Sequence, residues 1–370
     1  MFETGLIYRN PQPHLYSRQA SFPSLALLPD GDLLAAFGLG SGFESVDQRT
    51  VQARSPDGGR SWQIEGPLFS EQTPHPTSSH VRISRMPNGE LLAFGARWNR
   101  SRRDQGLTNP ATLGFVETEL ILLRSPDDGR TWVGPTTVIP PLIGPSFEIC
   151  SPVLALRDGR WLIPTATWSG WDGDAPNGMF ALALVSEDQG RTWPTYVPVM
   201  DGRAEQVIYW EQKLVELDDG RVLAVCWTHD LGAGRDRQVH YALSHDAGRS
   251  FGPPQPTGLH GQTTTPIFLG AGRLLCIYRR TDQPGLWAIY VRLDGTTWVN
   301  EATFPLWGQA LAAEAAAVHG ASLSESFANL RFGLPAGVRL PDGDVFTAFW
   351  GVEDCVSVIR WFRLPATPQS

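Results

Sequence analysis

Four copies of one short pattern divide this chain: Ser55 to Trp62, Ser125 to Trp132, Ser186 to Trp193 and Ser244 to Phe251. Each reads Ser-x-Asp-x-Gly-x-Ser/Thr-Trp/Phe. Self-similarity at a period of about 60 residues means an array of equivalent units, none able to bury its apolar face alone. A chain of 370 residues built this way is expected to be one closed array, a single domain over residues 1–370.

A second pattern precedes the boxes. Two apolar runs flank Asp30-Gly31, Asn88-Gly89, Asp158-Gly159, Asp219-Gly220 and Asp342-Gly343, with Ala271-Gly272 in the same place in the fifth unit. Asp-Gly or Asn-Gly between apolar runs is a strong hairpin signal, and the two-residue version needs positive φ at both positions. Six hairpins, each followed by a third strand and usually a box leading to a fourth, make an all-β, six-bladed β-propeller. Arg292 to Trp298 reads as a worn box in the fifth unit. The sixth unit stops after Ser357 to Leu364, and Gly5 to Arg9 can supply its missing strand, closing the ring. The Ala-rich stretch Gln309 to Val318 reads as a helix inserted between units five and six.

The boxes themselves read as structural. The Asp can accept N–H groups of its own turn, the Gly permits positive φ, and the aromatic residue packs between sheets. Asp57, Asp127, Asp188 and Asp246 are therefore poor candidates for chemistry. A net charge of -8 argues against a nucleic-acid partner. Cys150, Cys226, Cys276 and Cys355 lack metal-ligand spacing and are expected to be free, buried thiols. No motif implies a cofactor or metal. Met1 to Leu6 has neither a basic nor an apolar leader segment, so neither a membrane span nor export is expected, and the cytoplasm is the expected location.

The functional face of a propeller is built from the segments leading into each innermost strand and from the loops joining second and third strands. The first set holds Arg18, His80, Arg82, Glu148, Tyr209, Glu211 and Gln262. The second holds Arg97, Trp98, Trp168, Trp171, Trp227, His229, Asp230, Arg279, Arg280 and Trp350. Carboxylates, arginines and tryptophans converging on one funnel suit glycoside chemistry. An acid protonates the leaving oxygen, a second group acts as base or nucleophile, and flat rings hold the sugar. Glu211 stands just before an apolar inner run and is the first candidate, with Glu148 one unit earlier. Asp230 either serves as an acid or orients His229. Arg97 is placed to clamp a carboxylate or sulfate. Of Arg279 and Arg280, neighbours on a strand, only one can face the funnel.

The boxes and their hairpins resemble the Asp-box repeats of the sialidase (neuraminidase) superfamily over nearly the whole chain. Trp210 to Arg221 is similar to that superfamily's fourth-unit segment, where a Glu at the place of Glu211 activates the nucleophile. The resemblance implies a glycoside hydrolase with a glycan or glycoside as its partner. The superfamily pattern is incomplete, however. Ser21 stands where the first of three substrate-binding arginines falls, Trp227 stands near the second, and Phe332 takes the place of the tyrosine nucleophile. These departures count against sialic acid itself and leave a route through carboxylates, with Glu211, Glu148 and Asp230 as acid/base and nucleophile. Two rival readings are a carbohydrate-binding propeller without turnover and a polysaccharide lyase with His229 or Tyr209 as base. The sequence leaves the sugar and the oligomeric state open.

Overall fold

The computed structural model describes residues 2–102, 104–144, 146–309 and 330–368. These form six antiparallel sheets, each a blade. The innermost strands are Gln19–Leu27, Thr77–Arg85, Ser146–Glu148 with its continuation Leu154–Ala155, Val207–Glu216, Gly261–Gly270 and Phe332–Arg339. In the sixth blade the outermost strand is Glu3–Arg9, antiparallel to Val356–Leu364, so the N-terminal segment closes the ring as expected. The worn box of blade five is a tight turn between Leu286–Asp294 and Thr297–Trp307. The helix expected from Gln309 to Val318 lies, apart from Gln309, outside the described residues.

The apolar alternation of the strands explains how the blades pack. Six clusters of buried side chains each join two neighbouring blades, and one of them couples blade one, through Phe37 and Leu33, to blade six, through Phe346 and Trp350. Fully burying one such side chain contributes roughly 1.5–3 kcal/mol, so the ring is held by its inter-blade seams.

The boxes fasten those seams. Asp57 accepts Ser55 Oγ–H at 2.8 Å, Ser61 N–H at 2.9 Å and Ser61 Oγ–H at 2.6 Å, while Gly59 N–H donates to Ser55 Oγ. The same bonds recur around Asp127, Asp188 and Asp246. Gly59 has φ 96°, and a side chain there would collide with Phe346 of the preceding blade. Trp132 reaches back in the same sense, its Nε1–H donating to Gln52 Oε1 of blade one.

Two expectations need correction. Of the six Gly-containing hairpins read from the sequence, only Ala271-Gly272 has positive φ at both turn positions, at 51° and 71°. In the other five hairpins the Asp or Asn keeps negative φ and only the Gly is left-handed. Gly31 N–H, for instance, donates to Leu28 C=O at 3.1 Å. That is a type I turn followed by a left-handed glycine, which gives a three-residue loop with compatible twist. Secondly, the four cysteines are free, but only Cys226 and Cys276 are fully buried: Cys150 is half-buried, and Cys355 is exposed, because it sits in the turn after Glu353 rather than inside a strand.

Candidate functional site

Four of the six innermost strands carry the same irregularity. Trp210 pairs with Trp227 and Lys213 with Val225, so one extra residue bulges from the inner strand. Identical offsets occur at Ser21/Ser24, Gln262/Thr265 and Gly333/Ala336. Each bulge holds a non-glycine residue in the left-handed region: Phe22 at φ 54°, Glu211 at 47°, Thr263 at 54° and Leu334 at 43°. This costs roughly 1–2 kcal/mol per residue and re-aims the side chain. Phe22, Glu211 and Leu334 thereby reach the central cavity. In blade three the inner strand breaks instead after Glu148, leaving Ile149 and Cys150 on the cavity wall.

The cavity holds about 590 Å³ over the propeller axis. Its floor is charged and its walls are aromatic. Glu148, only 4 % exposed, accepts Glu211 N–H at Oε2 across 3.2 Å, and its Oε1 is buried without a hydrogen-bond partner among the described residues. Burial pushes the Glu148 carboxyl up, against the pull of Cys150, Lys213 and Arg82. Burial, and then the neighbouring Glu148, lift the Glu211 carboxyl to about 7, opposed by Lys213, Arg279 and Arg82. Arg82 and Lys213 are buried cations with depressed proton affinity. The Lys213 ammonium donates to the Cys150 carbonyl. Burial, then the charge of Arg82, hold His80 well below its ordinary value, so its ring is neutral. Glu44, on the loop after Gly40, is a further acid, raised by burial to about 7 despite Arg100.

One wall is a column of rings. Phe115 lies 5.9 Å from Trp168, Trp168 5.0 Å from Trp210, and Trp210 4.2 Å from Trp227. The loop carrying Leu113 and Phe115 is sewn to blade three. Trp168 Nε1–H donates to Leu113 C=O, and Asn109 Nδ2–H and Thr112 Oγ1–H both donate to Trp171 C=O. Flat faces in such a column suit a pyranose or furanose ring.

Of the residues expected from the sequence, Glu211, Glu148, His80, Arg82, Trp98, Trp168 and Trp171 meet around this cavity. Others stand one layer behind. Trp227 backs Trp210, and Trp350 packs on Phe22 and Phe43. Gln262 and Arg279 are joined to each other by the Arg279 Nε–H bond. Arg279 faces inward and Arg280 outward, where it pairs with Asp282 over the Trp287 ring.

The remaining expectations are placed elsewhere. Asp230 lies outside the cavity lining, and its carboxylate is taken by Arg237 and the Ala233 N–H, which hold it below its ordinary range. His229 also lies off the lining, bonded to Asp236. Arg97 is neutralised by Glu119 and Glu71. Tyr209 points into the seam between blades three and four, and Arg18 is exposed.

Sequence reasoning missed Cys150, Lys213, Phe115 and Asp236. Lys213 was legible as a cation interrupting an apolar inner strand. Asp236, inside Arg235-Asp236-Arg237, gave the signal of solvated surface.

Comparison with known proteins agrees with this architecture. The description "BNR repeat-like domain" matches residues 82–346. A sialidase of Micromonospora viridifaciens is 30% identical over 305 residues, covering 75% of this chain. The chain spans only 44% of that relative's length. Among solved structures, a protein of Dyadobacter fermentans aligns with a TM-score of 0.73 at 22% identity over 98% of each chain. A Penicillium chrysogenum α-L-arabinanase, complexed with arabinobiose, aligns with a TM-score of 0.67 at 17% identity over 99% of this chain and 98% of its own. With four boxes, six blades and that match, the chain belongs to the BNR repeat-like domain family, as an Asp-box propeller of the sialidase superfamily.

Proposed function

We propose that the protein is a glycoside hydrolase that cleaves a glycosidic bond of a glycan with Glu148 and Glu211 as its working pair. The observation that carries this reading is the pair itself: two carboxyls on adjacent inner strands at the floor of an aromatic cavity, with Glu211 raised to about 7. Carboxyls whose environments hold one proton between them near neutrality are what acid/base cleavage of an acetal uses. In this reading Glu148 is the ionised member: burial pushes its carboxyl up, but the Glu211 N–H, Lys213 and Arg82 all favour its charge. Glu211 is the member that keeps its proton and gives it to the departing glycosidic oxygen. Glu148 then either attacks the anomeric carbon or takes a proton from the attacking water, and one water is consumed per bond broken. The names of the sialidase and arabinanase relatives support a sugar substrate. Ser21, Trp227 and Phe332, at the places of two arginines and a tyrosine, favour a sugar other than sialic acid.

Buried acids without full hydrogen bonding lower stability, and a pure binding module gains nothing from them. That favours turnover over binding alone. A panel of chromogenic α- and β-glycosides and of uronic-acid polymers tests the proposal. Release of the chromophore or of reducing ends, reduced about 100-fold or more in Glu211→Gln, is the expected result. New ultraviolet absorbance from unsaturated uronate would instead mean elimination. Sugar binding by calorimetry without any cleavage would mean a binding propeller.

A further inference from the structure

The geometry points to Asp236 as a positioning residue for this site, acting on Arg279 through Gln262. The inference rests on the reading of Glu211 as a working carboxyl. Arg279, 3% exposed, holds its guanidinium near the rings of Trp227 and Phe332, at 5.8 and 5.9 Å. Its Nη1–H donates to Phe332 C=O at 2.8 Å and its Nε–H to Gln262 Oε1 at 2.8 Å, while Nη2 is buried without a hydrogen-bond partner among the described residues. Gln262 Nε2–H in turn donates to Asp236 Oδ2 at 2.6 Å. Asp236 Oδ1 meets Trp227 Nε1–H and His229 Nδ1, each at 2.8 Å.

The direction of this chain follows from chemistry. A carboxylate only accepts, so it selects the NH2 end of the Gln262 amide. That leaves Oε1 as the end facing the guanidinium, which only donates. An Asn at position 236 offers both a donor and an acceptor. The Gln262 amide could then turn over, present NH2 to Arg279 and push it away. Nothing in the local sequence hints at this, since Asp236 sits between two arginines. The short strand Arg235–Asp236, paired with His229 and Asp230, turns it inward.

The position of Arg279 matters because few charges face Glu211. Glu148 raises its proton affinity, and Lys213, Arg279 and Arg82 lower it. Arg279 itself faces Glu211 and Asp236. Asp236 faces His229. Moving one guanidinium therefore moves the protonation of Glu211, even with no ligand present.

The test is a carboxyl titration of the full chain, from about pH 4 to about pH 9. Glutamate side chains carry a carbon-13 label, and Glu211 is identified by its loss in Glu211→Gln. In Asp236→Asn and in Gln262→Met, Glu211 is expected to titrate about half a pH unit or more above wild type. Any hydrolysis is expected to fall with it. A merely structural Asp236 would lower the melting temperature and leave Glu211 where it was. An Asp236→Asn protein that melts like wild type and shows an unmoved Glu211 overturns the proposal. If that variant does not fold, an unmoved Glu211 in Gln262→Met does the same. An upward shift in a protein that hydrolyses nothing sustains the positioning role and removes the hydrolase reading.

Discussion

The main-chain N–H of Glu211 donates to Oε2 of Glu148 across 3.2 Å and so ties the inner strands of blades three and four together at the axis. The bond exists because Glu211 sits at a bulge with φ 47°. A regular strand would spend that N–H in the ladder with blade four's second strand. The same bulge puts the Glu211 carboxyl into the cavity, so one backbone irregularity both presents the acid and supplies Glu148 with a donor.

The first prediction follows from Glu211 itself. Its carboxyl is raised from an ordinary 4.5 to about 7. Between those values the folded chain keeps a proton that the unfolded chain has lost. Stability therefore falls as pH rises through that window and levels off above it, by on the order of 3 kcal/mol. Glu211→Gln removes the titration. It should match wild type below about pH 4.5 and exceed it above about pH 7, while hydrolysis drops about 100-fold or more. Urea unfolding at several pH values reads the first effect. Equal pH dependence in the two proteins would refute it.

Glu148→Gln separates the two carboxyls. After burial, the charge of Glu148 is the next cause of the raised Glu211 value. Replacing it with a neutral amide that still accepts the Glu211 N–H should lower the Glu211 carboxyl toward its ordinary range by about one pH unit. Isotope-edited infrared spectroscopy of the carboxyl band checks this. A Glu211 band that titrates unchanged would mean that the two groups do not sense one another, and one that titrates higher would mean that Glu148 acts on Glu211 other than by its charge.

The boxes predict the opposite pH sign. Asp246 is held at about 2 against burial by Ser250, Ser244 and Arg249. A depressed carboxylate stabilises the fold above its unfolded value of 3.8 and loses that contribution as pH falls toward about 2. Asp246→Ala should lower the melting temperature by a few degrees, on the order of 2 °C, at neutral pH and make less difference near pH 2. The cavity is untouched, so kcat/KM on any cleaved glycoside should stay within about twofold. Calorimetry at both pH values, with rates alongside, is the measurement. A loss of rate without a loss of melting temperature would place the box in the chemistry.

The fold was legible because the repeat carries its own physics. Each box spells out a turn that closes on its own Asp, and at Gly59 and Gly129 a side chain would strike the preceding blade, at Phe346 and at Leu34. The acids were legible from position alone, since Glu148 and Glu211 stand just ahead of apolar runs, although the strands begin before them, at Ser146 and Val207. What stayed hidden is local and conformational. No residue type announces that Phe22, Glu211, Thr263 and Leu334 will be left-handed, because the bulge is imposed by the ring and opposed by propensity. Asp230 and Asp236 look alike in sequence. The difference is that Arg237 captures one, while Trp227, His229 and Gln262 enclose the other. Pairing of that kind is long-range and leaves no spacing to read.

The last prediction concerns the aromatic wall. Phe115 N–H donates to Ser169 C=O at 3.1 Å, and the backbone around Gly114 lies flat on Gly170. A Cβ on Gly114 would stand 1.7 Å from Gly170 C=O, and neither partner is a flexible side chain that can step aside. Gly114→Ala must therefore lift the loop, carrying Leu113 and Phe115 away from Trp168 and opening one side of the cavity. None of the six large clusters that join the blades includes this loop, so the melting temperature should change by only a few degrees, while KM rises about tenfold, equivalent to about 1.4 kcal/mol of binding. Gly252→Ala serves as the control, because its nearest neighbour, Leu243 C=O, is at an ordinary 3.5 Å and far from the cavity. A ligand that binds Gly114→Ala as tightly as it binds wild type would mean that the wall built by Leu113, Phe115, Trp168 and Trp171 does not hold the sugar.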